Sequence, residues 1–287
     1  MFKRQPTGSI ACPSCRKLVA MEKKKCPHCG RRNPGMWGYA RTFQRLGADL
    51  GFIEIATWGC IGLYLISLLM DIPGIHGTGM DILSPSPVSN LLLGSTGSIP
   101  VFLAGRWWTV LSSGWLHGSL IHIAFNVAWI RHLVPGVAQI YGGARLVVIY
   151  TASAIAGSLI TSVAGQYLNG LPGIFHGASF SVGASGAIFG LFGALVAYGQ
   201  VVKGSAIAQQ AKIYAIVLFL FGFVFPNTDN WGHLGGFIGG YLAASSPWLT
   251  SRHREGHRHL IAAILCLLAT ALSFPVSVVH AFFSLNT

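Results

Sequence analysis

The stretch Gly183-Ala184-Ser185-Gly186-Ala187-Ile188-Phe189-Gly190 opens an apolar, glycine-punctuated run, and Trp231-Gly232-His233-Leu234-Gly235-Gly236 opens a second. Each puts one side chain capable of chemistry, a serine or a histidine, near the start of a segment long and apolar enough to cross a bilayer as a helix. The surrounding chain of 287 residues is 52% hydrophobic and 9% charged, with a mean hydropathy of +0.59. Soluble domains carry about 25% charged residues, so the expected fold class is an all-α polytopic membrane protein. Seven apolar runs are counted, near 54–70, 116–133, 145–164, 184–201, 211–226, 232–248 and 259–281. No cleavable signal peptide is expected, because Met1-Phe2-Lys3-Arg4 and a Cys-rich polar segment stand where an apolar region would.

A net charge of +12 is compatible with nucleic-acid binding, but its distribution follows the positive-inside rule instead. The first 45 residues carry Lys3, Arg4, Arg16, Lys17, Lys23, Lys24, Lys25, Arg31, Arg32, Arg41 and Arg45 against Glu22 alone, which places that end in the cytoplasm. Threading seven spans from there leaves Arg131, Arg145, Lys203, Lys212, Arg252, Arg254 and Arg258 inside and Asp71, Asp81 and Asp229 outside, with Arg106 the exception. Spans four and six then both run inward from the outer face, so Ser185 and His233 lie at similar depth near it.

Residues 1–35 read as a separate unit. Cys12-Pro13-Ser14-Cys15 and Cys26-Pro27-His28-Cys29 are two C-x-x-C pairs, the pattern that supplies four thiolates to a tetrahedral zinc ion. Two disulfides are the rival reading, disfavoured by a reducing cytoplasm. A module this short folds because structural Zn²⁺ supplies the free energy its core lacks. Its basic residues suit contact with a protein, an anionic lipid or nucleic acid, and a solvated face that sets topology explains them equally well. Cys60 and Cys266 lie in apolar spans and read as small buried hydrophobes. Residues 36–53 form an interfacial linker, where Trp37, Tyr39 and Phe43 among Arg41 and Arg45 suit a helix at the headgroup level. The external stretch 71–115, rich in Pro, Gly and Ser and ending Gly105-Arg106-Trp107-Trp108, must be buried by protein or sit in the interface.

Small residues recur at Gly183, Gly186, Gly190 and Gly193, and at Gly232, Gly235, Gly236, Gly239 and Gly240. Such spacing lets helix backbones approach closely in lipid. A packing seam accounts for the glycines alone, yet the same closeness is what a serine needs to reach a histidine on a neighbouring helix. An intramembrane histidine is itself a mark of function. A serine nucleophile also needs donors for the oxyanion, and the second span offers His117, His122 and Asn126, the last two four apart on one helix face. A metal site built from His117, His122 and His233 competes with this reading but lacks a carboxylate in the spans. Asp229, as a third triad member, competes with a turn at Pro226-Asn227-Thr228-Asp229-Asn230, and the turn is favoured.

With these motifs in this order, the chain resembles the rhomboid intramembrane serine proteases. The resemblance implies a six-helix core over 54–248 with Ser185 as nucleophile and His233 as base, and no cofactor for catalysis. By position, His122 and Asn126 join the Ser185 backbone N–H in holding the oxyanion, and His117 supports them. Gly183 belongs to the nucleophile motif, Gly186 permits close approach, and Phe189 packs on the histidine. Substrates are implied to be transmembrane proteins, met within the lipid bilayer of a prokaryotic plasma membrane and cut at a pocket open to the outer face. Two features lie outside the pattern: the family's Trp-Arg pair appears as Arg106-Trp107-Trp108-Thr109, and residues 249–287 add a cytoplasmic loop and a seventh span. A catalytically silent binder or escort of membrane clients, or a transporter, is the rival reading. The presence of both dyad members argues against the first, and the lack of midplane charges and internal repeats against the second.

Overall fold

The computed structural model describes residues 4–13, 15, 17–41, 46–168, 170–171, 175–225, 228–251 and 255–285, the side chains of 284 and 285 excepted. Ser14, Arg16, Lys3, Phe43, Arg45, Pro226, Asn227, Arg252 and Arg254 therefore lie outside the described residues.

Helices form at all seven apolar runs: α1 Phe52–Met70, α2 Leu120–Tyr141, α3 Gly143–Tyr167, α4 Ser185–Val201, α5 Ala206–Phe221, α6 Asn230–Ser245 and α7 His257–Leu285. Four of them, α1, α2, α3 and α7, are long and apolar enough to cross a membrane. The others, at 17, 16 and 16 residues, reach roughly 24–26 Å at 1.5 Å per residue. That is short of a hydrocarbon core of about 30 Å. Polarity is arranged for lipid: Ile55, Leu65, Ile66 and Leu69 of α1 are exposed, whereas Ser153, Ser158, Thr161 and Ser162 of α3 are buried.

The centre of the bundle is a glycine seam between α4 and α6. A Cβ added to Gly236 would land on the Gly186 backbone, and one added to Gly240 on that of Gly190. The rising register shows that the two helices run parallel, as the positive-inside threading requires, and that their backbones touch.

Helix boundaries depart from expectation in one place that matters. The second helix starts at Leu120, not near 116, because Leu116 is extended and the Ser119 hydroxyl accepts the His122 N–H at 3.2 Å as an N-cap. His117 therefore precedes the helix. In the linker, a 3₁₀ turn over Met36–Gly38 stands where the interfacial helix was expected to begin, and Leu46–Gly51 is turn.

The stretch 71–115 is structured. It contains a helix at Pro87–Leu93, a π-turn at Ile99–Leu103 and helical turns at Thr109–Ser112 and Ser113–Trp115. Arg106, the exception in the charge pattern, is 4% exposed, and its Nη2 donates to the Ser277 carbonyl of α7 at 3.2 Å. Trp108 Nε1 donates to the Ser277 hydroxyl at 2.9 Å, and its ring meets His280 edge-on at 5.1 Å. This arginine is braced inside the protein, so it says nothing about topology.

At the far end of the bundle, β1 (Ser9–Ala11) and β2 (Leu18–Ala20) pair antiparallel in the N-terminal module. The module touches the loop entering α7: Arg31 Nη1 donates to the Glu255 carbonyl at 3.5 Å, and His257 Nε2 lies 3.3 Å from the Arg32 carbonyl. The Glu255 carboxylate caps α3 by accepting from Ala144 N at 2.9 Å and Arg145 N at 3.1 Å, a negative group at the positive end of a helix dipole.

Candidate active site

Ser185 is the first residue of α4, partly accessible, and the segment before it is held in place by backbone pairing. Thr96 and Ser181 exchange N–H···O bonds of 2.9 and 2.7 Å, and Gly183 N donates to Ser113 O at 3.0 Å. Gly183 has φ of +138°, a conformation that suits glycine. Its missing Cβ also leaves room: a Cβ there would sit 2.8 Å from His122 Nε2 and 3.6 Å from Ser185 Oγ. The imidazole of His122 and the hydroxyl of Ser185 thus flank one point.

His122 Nδ1 accepts from Gly118 N at 3.4 Å, which assigns the ring proton to Nε2, the nitrogen facing that point. Four residues on, Asn126 is 1% exposed, and its Nδ2 has no hydrogen-bond partner among the described residues. Buried donors are nearly always satisfied, so an open amide here marks a place for an acceptor. His117 is fully buried, its ring edge-on to His122 at 5.2 Å.

His233 sits in the first turn of α6, 8% exposed, with its Nδ1 buried and unpartnered among the described residues. The Phe189 ring, one turn along α4 from Ser185, stacks on it at 4.2 Å with an interplanar angle of 12°. That stack fixes the imidazole plane from the helix that carries Ser185. Ser113, Ser158, Ser181, Ser185, Asp229 and Gly232 line a small cleft.

The carboxylate that sequence spacing assigned to a turn is occupied elsewhere. Asp229 Oδ1 accepts from Gly232 N at 2.8 Å as the N-cap of α6 and from Thr161 Oγ1 at 2.7 Å, and Oδ2 accepts from Ser181 Oγ at 2.6 Å. From the sequence Asp229 read as a turn residue, and its role as a cap comes from the structure. The bonds from Thr161 and Ser181 were not legible either, since nothing in their spacing points to Asp229.

The second candidate centre is the cysteine cluster. The sulfurs of Cys12, Cys15, Cys26 and Cys29 all lie within 4.8 Å of one another. The pairs Cys12···Cys29 and Cys15···Cys26 are each 3.7 Å apart, close to the roughly 3.8 Å edge of a tetrahedron with 2.3 Å metal–sulfur bonds. A disulfide needs about 2.05 Å. The Arg31 backbone N–H, pointing at Cys29, holds its thiol down at about 7. The cluster is able to hold a metal ion. Among the described residues, His117, His122 and His233 do not converge in this way.

A family model described as the Rhomboid domain matches residues 104–248. The chain is 34% identical over 174 residues to Rhomboid protease GluP of Bacillus subtilis, a match covering 59% of this chain and 32% of that protein. It is 30% identical over 162 residues to Rhomboid-like protease 3 of Toxoplasma gondii, covering 54% and 57%. It is also 36% identical over 136 residues to Inactive RHOMBOID-like protein 8 of Arabidopsis thaliana, covering 46% and 35%. The chain thus spans from 32% to 57% of the length of these relatives.

Proposed function

The chain belongs to the rhomboid family, and from that premise we propose that it is an intramembrane serine endopeptidase cutting membrane proteins in or near their transmembrane segments. Ser185 is the nucleophile and His233 the general base. His233 takes the Ser185 Oγ proton as the oxygen attacks a carbonyl in an unwound stretch of substrate helix. The oxyanion is held by the Ser185 backbone N–H, His122 Nε2–H and Asn126 Nδ2–H. His233 returns the proton to the leaving amine, and water then hydrolyses the acyl-enzyme by the same base.

The observations that carry this reading are that the His122 imidazole and the Ser185 hydroxyl flank one point at the start of α4, that Phe189 of the same helix stacks on His233 of the touching α6, and that Asn126, four residues from His122, holds a buried amide with no partner among the described residues. A binder or escort needs none of these. The basic N-terminal module lies in the cytoplasm and holds structural zinc through Cys12, Cys15, Cys26 and Cys29, and the site opens to the opposite, outer face. The 54–248 core carries the chemistry, and 249–287 and the module flank it.

The test is cleavage of a labelled single-span protein in liposomes by wild type, Ser185→Ala and His233→Ala. Loss of at least about 10³-fold in both variants is expected. Cleavage persisting without Ser185 overturns the mechanism, and a wild type inert toward several substrates favours the silent binder.

A further inference from the structure

Asp229 binds three donors from three separate segments. Two of the three bonds, to Thr161 and Ser181, reach 68 and 48 residues along the chain, and only the third is the local helix cap. Ser181 precedes Ser185 by four residues, and Asp229 precedes His233 by four. His233 therefore stands one helical turn from this carboxylate, and Ser185 stands four residues beyond a hydroxyl bonded to it. Thr161 adds a further link, since its Oγ1 accepts from Ala178 N at 3.2 Å while it donates to Asp229. The segment 178–181 is in turn paired to the first loop through Thr96 and Ser98.

This arrangement separates Asp229 from a triad carboxylate. Its oxygens are taken up by Thr161, Ser181 and Gly232, and the His233 Nδ1 that a triad acid would bind has no partner among the described residues. An ionised carboxylate offers about four acceptor sites and no donor, which suits three converging N–H and O–H groups.

We infer that Asp229 is a positioning residue for the dyad: its carboxylate clamps the loop ahead of Ser185 to the first turn of α6 and so fixes the reach from Ser185 Oγ to the His233 imidazole. The inference rests on the Ser-His reading above. A displacement of about 1 Å between reacting groups costs on the order of 10²-fold in rate, and that is the scale of effect expected.

The experiment uses the full chain in liposomes. It measures kcat and KM for a single-span test substrate, the rate at which a fluorophosphonate labels Ser185, and the folded fraction. Asp229→Ala should lower kcat about 10²-fold with KM within about twofold, and labelling should slow in parallel. Asp229→Asn, which keeps an acceptor for Gly232 and Thr161 but cannot accept from Ser181 at the amide nitrogen, should recover about tenfold of the loss. Ser181→Ala should slow wild type about tenfold and the Asp229→Ala variant hardly at all, because both break one link. Unchanged kcat per folded molecule in Asp229→Ala overturns the inference. Should that variant fail to fold, Ser181→Ala and Thr161→Val retain the cap, and wild-type kcat in both overturns it equally. A wild type that neither cleaves nor labels is a different failure, that of the protease reading itself.

Discussion

Asn126 has the most to lose from a small change, because its amide is buried and already without a partner among the described residues. Asn126→Ala should cut kcat about 10²-fold or more with little change in KM, the signature of a donor used in the transition state alone. Equal loss in kcat and binding would show that it contacts substrate uniformly. Phe189→Ala removes the stack on His233 and should cost roughly 0.5–1.5 kcal/mol of orientation, seen as a fall of about 2–10-fold in kcat. At this scale the sequence was most legible where chemistry restricts residue type. Ser185, His233 and Asn126 stood out because polar groups in apolar helices demand a reason. Asp229 was readable as a turn residue and no further, since Thr161 and Ser181 reach it only after the helices pack.

The α4–α6 seam holds together the two helices that carry Ser185 and His233. Gly236→Ala puts a methyl group where the Gly186 backbone stands, and overpacking of this kind should cost about 1–3 kcal/mol. Unfolding in mild detergent by a denaturant series checks it, and a variant as stable and active as wild type would show that the helices do not depend on contact. The glycine pattern gave the seam in advance, because small residues at three- and four-residue spacing have one common use in lipid. The start of the second helix was less legible. Apolar character continues through Leu116, and the boundary is set by Ser119, a cap whose effect hydropathy does not register.

Across the whole molecule, the charge pattern anticipated that α4 and α6 run parallel, and Arg106, the residue that departs from that pattern, is buried by protein, one of the two places expected for the stretch 71–115. The cysteine module makes a pH prediction. The Cys29 thiol, ordinarily near 9, is held at about 7 by the Arg31 backbone N–H. Its ionised form therefore favours the folded module fully above about 9, and that gain disappears as pH falls through about 7. Zinc uptake by the full-length protein, followed with a colorimetric chelator, should weaken steeply below about pH 7 as protons compete for the thiolates. Affinity flat across that range would rule out the cluster as a thiolate site.

The contact between Ser277 and Arg106 also orders events in time. Their 171-residue separation means that, at about 5–20 residues per second, the loop that ends in Arg106 and Trp108 waits on the order of 10–30 s after synthesis before its last neighbour exists. Until then a buried guanidinium lacks that acceptor. A chain released early, before α7, should display the loop to added protease while its first six helices are already inserted, and completed chains should not. The nascent protein is thus unfinished at this rim of the bundle until the ribosome is nearly done with it.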